Sequence, residues 1–564
     1  MLPDTWLDRM LWLRMQAFRW THWRPLQIAS RNPRQTQERL LLEILRKNAG
    51  THFGQRYGFA AISDYAGFAR SVPVQTYETL RPFVEEQERS GAPALTTASP
   101  VMYAQTSGTT GKPKLIPIVP EVLKAYRWSQ GVQSFLQFEA DPSAFYGHLL
   151  GIVSPATEGV RESGMPYGSA SGHIYENMPA LARTKYVVPA KVFGITDYEL
   201  KYLVILRLAL AHRDISYIGV ANPSTLLKLL SLLRANRSAL VNDLDRETFW
   251  RSSELTPDVR RAIEPRLACD ADRRYEVARI LNLLEPDFSD LWPDLRLVVT
   301  WTGGSCGIAL AAVRAALPTR TRISELGYLS SEFRGTITVD VKLNLGMPTI
   351  HENFFEFVER EAWEAGRKEF CTIDAVKTGT DYYIFVTTPA GLYRYFMNDI
   401  VTVTGSFYAT PTIQFLQKGK GVTNITGEKL YENQVIQAVR EVEDSVGHAS
   451  VFFLMLAVPE RAIYRLIIEW PPSYTVSVHE IAERIDKRLG ELNLEYQGKR
   501  LSGRLEPLEL LPVAPGTGDL YKKRCLDKGQ REAQFKIVAL QYVEDCAFDF
   551  QNCKVDSLPA DQGS

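Results

Sequence analysis

Apolar and polar residues alternate with two different periods along the first 416 residues of the chain. Residues 39–49 and residues 200–211 carry apolar side chains at helical spacing, and the first of these stretches ends before Gly50. Short runs of apolar and β-branched residues at 216–220, 297–301 and 383–388 favour strands. Strands that alternate with long helices predict an α/β protein rather than a helical bundle.

The pattern changes after residue 421. One amphipathic helix face begins at Tyr431 and a second begins at Val478, and two apolar runs at 451–457 and 464–470 lie between them. This helix–strand–strand–helix order predicts a small α+β domain. We therefore expect a large N-terminal mixed α/β domain over residues 1–416 and a smaller, mobile C-terminal domain over residues 422–564.

A hinge is predicted between these two domains. Residues 417–421 have the sequence Gln-Lys-Gly-Lys-Gly, which interrupts the apolar pattern on both sides. Two glycines in five residues allow backbone torsions that other residues avoid, as the rotation of one domain against another requires.

Composition and charge exclude several classes of protein. The 564 residues contain 65 Lys and Arg against 65 Asp and Glu, so the excess of basic residues typical of nucleic-acid binders is missing. The six cysteines form no C-x-x-C pair, which favours the reducing cytoplasm over a disulfide scaffold. The eight histidines are scattered without an H-E-x-x-H motif, so they give no support for metal catalysis through histidine. No run of about 18 apolar residues predicts a membrane span.

Residues 6–23 are rich in Trp and Arg and predict an amphipathic helix. The favoured interpretation is that this helix packs on the large domain. The alternative is a peripheral contact with a membrane surface, or a transit segment that directs the chain to an organelle.

A polar loop between two predicted strands carries the strongest chemical signal. Two glycines allow backbone N–H groups to approach a ligand, and four hydroxyls and two lysines add donors and positive charge, as phosphate binding requires. The spacing is not that of a Walker loop. The alternative is a polar hairpin between residues 101–104 and 115–119. The residues expected to bind phosphate are Thr106, Ser107, Gly108, Thr109, Thr110, Gly111 and Lys114.

This loop resembles the phosphate-binding signature of the adenylate-forming superfamily, which includes acyl-CoA synthetases, luciferases and the adenylation domains of peptide synthetases. Other segments resemble one branch, the Gretchen-Hagen family of acyl acid-amido synthetases, which conjugate plant hormones to amino acids. The resemblance runs from about residue 35 to residue 540. Its segments are residues 68–76, 168–172, 221–225, 353–357 and 388–399.

The resemblance implies roles for two loops that follow predicted strands. Gly303, Gly304 and Ser305 would line the nucleotide pocket. In the segment from Gly327 to Glu332, the ring of Tyr328 would pack on adenine beside Ser331. Glu332 would hold Mg²⁺ near the α-phosphate, and its alternative on residue type alone is a solvated acid after a turn.

Three further residues gain a role from the resemblance. Asp399 would accept hydrogen bonds from the ribose diol, although Phe396 and Asn398 depart from the Tyr-Arg-Tyr-Arg-x-Gly-Asp pattern of the plant members. Lys429 would face the nucleotide. Lys536 would promote adenylation, although the Pro-Arg that usually follows it is missing, and on sequence alone it is a surface lysine.

The sequence thus predicts an ATP- and Mg²⁺-dependent ligase that activates a carboxylic acid as its acyl-adenylate and releases pyrophosphate. The acyl group would pass to an amine, of which an amino acid is the expected example. The acid pocket is expected to include parts of residues 167–175 and 186–193, and Pro166, Tyr167, Val187 and Phe193 favour an apolar acid. Two alternatives stay open. They are an acyl-CoA or acyl-carrier-protein ligase with the same intermediate, and a nucleotide-binding module without catalysis.

Overall fold

The computed structural model describes residues 5–106, 114–303, 309–419, 421–447, 449–470, 477–527, 539–546 and 548–555. The described residues up to Leu416 form one compact unit, and those from Gln417 form a second. Each unit contains a hydrophobic core of its own.

A parallel four-stranded sheet lies at the centre of the large unit. Its strands are, in spatial order, His148–Ile152, Ile215–Val220, Leu297–Thr300 and Arg322–Glu325. All four residues of Leu297–Thr300 are buried, as expected for a strand covered on both faces. The apolar helix Tyr198–Leu210 contributes ten buried residues to this core, including Arg207, whose guanidinium donates hydrogen bonds to three backbone carbonyls.

Three other sheets complete the large unit. The strands of a mixed sheet are Lys114–Ile118, Met102–Thr106, Pro166–Gly168 and Gly159–Val160. A five-stranded sheet has the order Cys371–Thr372, Phe354–Glu359, Asp381–Thr387, Tyr395–Phe407 and Thr410–Lys418. Thr336–Asp340 and Leu345–Pro348 form an antiparallel ribbon.

The helices of the large unit surround these sheets. They are Trp6–Phe18, Arg24–Ala29, Pro33–Lys47, His52–Arg56, Tyr65–Ser71, Tyr77–Ser90, Pro120–Ala140, Ala170–Glu176, Ala180–Arg183, Tyr198–Leu210, Ser224–Ala235, Arg237–Arg246, Pro257–Ile263, Ala271–Leu281, Phe288–Leu291, Leu310–Ala315 and Arg360–Glu364.

The small unit contains the predicted helix–strand–strand–helix order. Its four-stranded sheet has the order Glu509–Val513, Ile463–Glu469, Phe452–Val458 and Leu540–Tyr542, and a short ribbon pairs Val422–Thr423 with Leu430–Tyr431. Its helices are Glu432–Val446, Val478–Leu492, Leu494–Leu501 and Thr517–Asp527. The two central strands are antiparallel, and each outer strand pairs parallel to its neighbour.

The helices and strands named from the sequence are confirmed, and most of their ends agree with the structure to within a few residues. Residues 39–49 fall within and just beyond the helix Pro33–Lys47, and 297–301 correspond to the strand Leu297–Thr300. The strand Thr410–Lys418 extends over the first two residues of the predicted hinge. The role of residues 417–421 as a hinge stays a prediction.

The first helix, Trp6–Phe18, packs on the large unit. Asp8 is buried and its carboxylate accepts a hydrogen bond from Lys185 Nζ at 2.6 Å, while Met15 enters an apolar cluster. The expected packing is therefore confirmed. Trp6 on the outer face is 66% exposed, and peripheral membrane contact through residues 6–23 stays a prediction. Within the described ranges, no helix combines the length and the hydropathy needed to cross a membrane.

Candidate active site

Two of the predicted nucleotide loops begin where neighbouring strands of the parallel sheet end. Leu297–Thr300 leads into Gly303, and the adjacent strand Arg322–Glu325 leads into Gly327 and Tyr328. Ligands of open α/β sheets bind beyond the carboxyl ends of the strands. The sheet thus places these two loops side by side.

The carboxylate of Glu325 connects the two loops. It accepts hydrogen bonds from the backbone N–H of Thr302 at 2.6 Å, from the Thr302 hydroxyl, and from the N–H of Gly327 at 2.8 Å. Burial raises the pKa of Glu325, and these hydrogen bonds oppose that rise. Sequence reasoning missed this residue.

Two glycines of these loops are required by the backbone. Gly327 has φ of +106°, a conformation that residues with a Cβ rarely adopt. A Cβ at Gly303 would lie 3.0 Å from the carbonyl oxygen of Phe415. Both loops therefore approach neighbouring backbone more closely than a side chain would allow.

Tyr328 contacts the predicted ribose-binding residue directly. Its hydroxyl donates a hydrogen bond to the carboxylate of Asp399, which is buried on the strand Tyr395–Phe407. Burial, followed by the negative charge of Asp399, raises the pKa of Tyr328 far above its usual value. The ring stacks on Phe415, with centroids 5.6 Å apart and planes at 21°. The structure thus brings together the predicted adenine and ribose contacts.

The segment that carries Asp399 is anchored by a buried ion pair. Arg394 Nε lies 3.1 Å and 3.2 Å from the two carboxylate oxygens of Glu356, and Arg394 Nη1 donates to the carbonyls of Ala69 and Val72. Burial raises the pKa of Glu356, and the guanidinium opposes that rise. One side chain therefore links residues 68–76, 353–357 and 388–399, three separate segments of the resemblance.

The two departures from the plant pattern have physical explanations. Asn398 occupies the position of the pattern's glycine and has φ of +52°, a left-handed conformation that asparagine tolerates better than most residues. Phe396 lies in an aromatic cluster, with its ring centroid 5.1 Å from Phe385 and 5.0 Å from Trp363. Asn398 therefore preserves the turn before Asp399.

Glu332 is a buried carboxylate, with 6% of its surface exposed. The alternative of a solvated acid after a turn is therefore wrong, while the role in holding Mg²⁺ stays a prediction. Glu332 lies on a turn whose ends, Leu329 and Arg334, pair as an antiparallel β-bridge. Ser331 on the same turn is half-buried. Arg334 and Glu352 are buried as well, so several charged side chains are buried in this part of the large unit. Burial raises the pKa of Tyr126, the charges of Glu352 and Glu332 add to that rise, and Arg334 opposes it.

The predicted phosphate loop connects two paired strands. Thr106 lies opposite Lys114 in the antiparallel pair, and Lys114 Nζ lies 5.8 Å from the ring centre of Tyr77. The flanking strands of the hairpin are confirmed. The other predicted residues of this site lie outside the described residues, namely Ser107, Gly108, Thr109, Thr110, Gly111, Gly304, Ser305 and Lys536.

In the small unit, the backbone of Lys429 is held in place from both sides. The buried carboxylate of Glu428 accepts hydrogen bonds from the N–H of Ile425 at 2.7 Å and from the Tyr464 hydroxyl at 2.7 Å. The side-chain amide of Asn493 donates to the Lys429 carbonyl at 2.8 Å. The N–H of Lys429 donates to the carboxylate of Glu495 at 3.2 Å, so hydrogen bonds on both sides of the residue fix its backbone.

Two of the four residues expected to favour an apolar acid belong to the core. Val187 is 1% exposed and Phe193 is 2% exposed, and the ring of Tyr175 meets that of Phe193 edge-on at 5.1 Å. The expectation that they line an acid pocket is wrong for this structure, because almost none of their surface is accessible. Pro166 and Tyr167 are half-buried on the strand Pro166–Gly168 and keep accessible surface.

Comparison with known families and structures gives a consistent result. Models of the GH3 family match the chain in three parts: the N-terminal domain over residues 24–320, the central domain over residues 346–418 and the C-terminal domain over residues 433–542.

Named relatives are plant enzymes. Indole-3-acetic acid-amido synthetase GH3.8 of Oryza sativa subsp. indica is 24% identical over 549 residues, which cover 89% of this chain and 87% of that protein. Jasmonoyl--L-amino acid synthetase JAR6 of Nicotiana attenuata is 25% identical over 455 residues, with coverage of 74% and 76%.

Solved structures share the fold. The GH3.15 acyl acid amido synthetase has a TM-score of 0.63 at 20% identity, covering 95% of this chain and 97% of its own. A 2-hydroxyisobutyryl-CoA ligase in complex with 2-HIB-AMP and CoA has a TM-score of 0.51 at 12% identity, with 91% of both chains covered. The predicted adenylate-forming fold is confirmed.

The left-handed turn at Asn398 gives a test of this site's backbone. We expect Asn398→Ala to lower the free energy of unfolding by about 1 kcal/mol relative to Asn398→Gly, because a Cβ in this conformation costs roughly 1–2 kcal/mol. Urea unfolding of both variants beside the unsubstituted chain measures the difference. An alanine variant at least as stable as the glycine variant would show that the turn is not strained.

Proposed function

The chain belongs to the GH3 (Gretchen-Hagen) family, as its motifs indicated, and on that basis we propose that it is an ATP-dependent acyl acid amido synthetase. The carboxylate of an acid attacks the α-phosphorus of ATP, which releases pyrophosphate and gives an acyl-adenylate. An amine, here an amino acid, then attacks the carbonyl carbon and AMP leaves. The direct contact between Tyr328 and Asp399 is the observation that carries this proposal.

The buried carboxylate of Asp399 is suited to binding ribose. It accepts hydrogen bonds only, and the two adjacent hydroxyls of a ribose are donors placed for one carboxylate. Tyr328 provides a flat aromatic ring beside it. Gly303, whose loop packs against the carbonyl of Phe415, would also let the backbone of that loop approach a ligand because it has no side chain. These three residues would orient the nucleoside, so that most of the catalytic effect of this site comes from positioning.

The residues present fit a magnesium ion. Glu332 supplies a hard carboxylate oxygen in a buried position, and Mg²⁺ in nucleotide sites is commonly held by one or two carboxylates together with the phosphates. When bound, the ion would neutralise phosphate charge. Thr106 and Lys114 flank the loop proposed to hold the phosphates that leave, together with Ser107, Gly108, Thr109, Thr110 and Gly111.

The small unit would supply two lysines, Lys536 and Lys429. We assign Lys536 to the adenylation step, where its charge would offset the negative charge that develops between the acid and the α-phosphate. Lys429 would face the nucleotide from its fixed backbone position. In this proposal the large domain covers residues 1–416 and the small domain covers residues 422–564. Rotation about residues 417–421 would then convert the site from adenylate formation to transfer of the acyl group.

Replacement of Asp399 tests the ribose assignment. We expect Asp399→Ala to raise the KM for ATP at least ~10-fold, because hydrogen bonds to a charged group contribute about 1.5–3 kcal/mol each. ATP saturation of pyrophosphate release measures the effect. The control is Asp381→Asn. Asp381 lies on the same sheet, and its carboxylate accepts a hydrogen bond from the Thr402 hydroxyl. Its replacement should leave the KM for ATP unchanged. Unchanged saturation in a folded Asp399→Ala variant would contradict the assignment.

An amido synthetase and an acyl-CoA ligase share this fold, so the fold does not distinguish them. The molecule that accepts the acyl group does. A panel of carboxylic acids is first screened with ATP and hydroxylamine for hydroxamate formation. With the acid so identified, we expect amino acids to accelerate AMP release and to yield an amide, with no dependence on CoA. Formation of a thioester, saturable in CoA, would instead establish the ligase.

Lys536 should act in one half-reaction only. We expect Lys536→Ala to slow adenylate formation at least ~100-fold, a typical loss for one electrostatic stabiliser. Conversion of a synthetic acyl-adenylate and an amine to the amide should stay within a few-fold of the unsubstituted enzyme. Lys522→Ala, Lys523→Ala and Lys528→Ala are the matched controls. If one of these variants loses adenylate formation while Lys536→Ala does not, the role belongs to that lysine. Equal loss in both half-reactions of Lys536→Ala would make Lys536 structural.

A further inference from the structure

Two histidines and an aspartate meet at the amino-terminal edge of the parallel sheet. His148 begins the strand His148–Ile152, and His212 and Asp214 precede the neighbouring strand Ile215–Val220. Parallel neighbours begin at the same edge of a sheet, so the three side chains come together although they are distant in sequence. The predicted nucleotide loops follow the opposite, carboxyl ends of this sheet.

The three side chains are close enough to share one small ligand. His148 Nδ1 lies 2.8 Å and 3.0 Å from the two carboxylate oxygens of Asp214. The imidazole rings of His148 and His212 have centroids 4.1 Å apart. One nitrogen of each ring and one oxygen of Asp214 all lie within 4.8 Å of one another.

The backbone beneath these side chains is fixed. The carbonyl of His212 accepts hydrogen bonds from Trp292 Nε1 at 3.0 Å and from Arg273 Nη2 at 3.3 Å. The N–H of His148 donates to the carbonyl of Asp214 at 2.9 Å. Because Trp292 is fully buried, the cluster sits on a rigid base rather than on a loop tip.

The cluster is open to solvent on one side. Asp214 is exposed and both histidines are half-buried. Beside them lies a depression of about 500 Å³ that is lined by His212, Asp214 and Glu276 among other residues. The nearby cations Arg213 and Arg273 both pair with the carboxylate of Glu276, at 3.0 Å and 2.8 Å, which offsets part of their repulsion of a metal ion.

We propose that His148, His212 and Asp214 form a binding site for a divalent transition-metal ion, with Zn²⁺ as the best match. Two imidazoles and one carboxylate form a donor set typical of zinc, and they leave a fourth position for water. The ion would replace the proton that His148 and Asp214 now share. Its position at the sheet edge opposite the predicted nucleotide loops makes it a site separate from that of the proposed amide synthesis.

Zinc binding to the full chain tests this site directly. The protein is stripped with a chelator, exchanged into chelator-free buffer at neutral pH without nucleotide, and titrated with Zn²⁺ by calorimetry. We expect one strong site per chain, whose affinity falls at least ~10-fold in both His148→Ala and His212→Ala. Co²⁺ in place of Zn²⁺ should give the visible absorption of a four-coordinate site in the unsubstituted chain and lose it in both variants.

The matched control is His52→Ala. His52 is exposed, and its Nδ1 lies 2.9 Å from the carboxylate of Glu86, so this variant reports zinc binding to a surface His–carboxylate pair outside the cluster. It should leave the strong site unchanged. Asp214→Asn, which keeps the size of the side chain, should weaken binding even if an alanine variant fails to fold. No strong site in the unsubstituted chain, or equal affinity in these three ligand variants, would overturn the proposal.

Discussion

The buried ion pair between Arg394 and Glu356 is the interaction on which the geometry of the candidate site depends. Both side chains are almost inaccessible, and the removal of one partner from such a pair typically costs 3–5 kcal/mol because the other charge is left uncompensated. Arg394 also donates to the carbonyl of Ala69 in the last turn of the helix Tyr65–Ser71 and to that of Val72 just after it. The guanidinium therefore contacts the N-terminal helices and the five-stranded sheet at once, beside the hydrogen bonds of Tyr65 to Glu356 and of Gln75 to the backbone of Arg394.

A second group of buried carboxylates organises the loops in the same way. Glu325 accepts N–H groups from both nucleotide loops of the large unit, and Glu428 accepts those of the turn before Lys429 in the small unit. Each of these acids replaces water as the partner of backbone donors that would otherwise be unsatisfied. Precise loop geometry in both units thus rests on acidic side chains that do not themselves need to touch a substrate.

Much of the fold could be predicted, and the reasons for the failures are physical. The helix Tyr198–Leu210 and the strand Leu297–Thr300 are continuous apolar segments, which a sequence reveals directly. The long strand Tyr395–Phe407 was missed because polar residues and the left-handed Asn398 interrupt its pattern. In the small unit, the outer strand Leu540–Tyr542 is too short to show a period.

In the candidate site, too, some residues could be predicted from the sequence and others could not. Tyr328 and Asp399 could be found because they lie in recognisable motifs. Glu325 could not be found, since its partners are backbone N–H groups that the sequence does not display. Val187 and Phe193 were misjudged because an apolar side chain has the same composition in a core as in a substrate pocket. The histidine and aspartate cluster depends on the order of strands in a sheet, which residue spacing does not contain.

The hydrogen bond from Tyr328 to Asp399 has a consequence for the cost of binding. The phenol occupies one carboxylate oxygen, and an ionised carboxylate has about four acceptor positions on its two oxygens, so Asp399 can accept from a further donor while it keeps the phenol. Because this hydrogen bond already orients the carboxylate, a ligand at the proposed ribose position would meet a side chain whose conformational freedom is lost on folding. Less ordering would then remain to be done when a nucleotide binds.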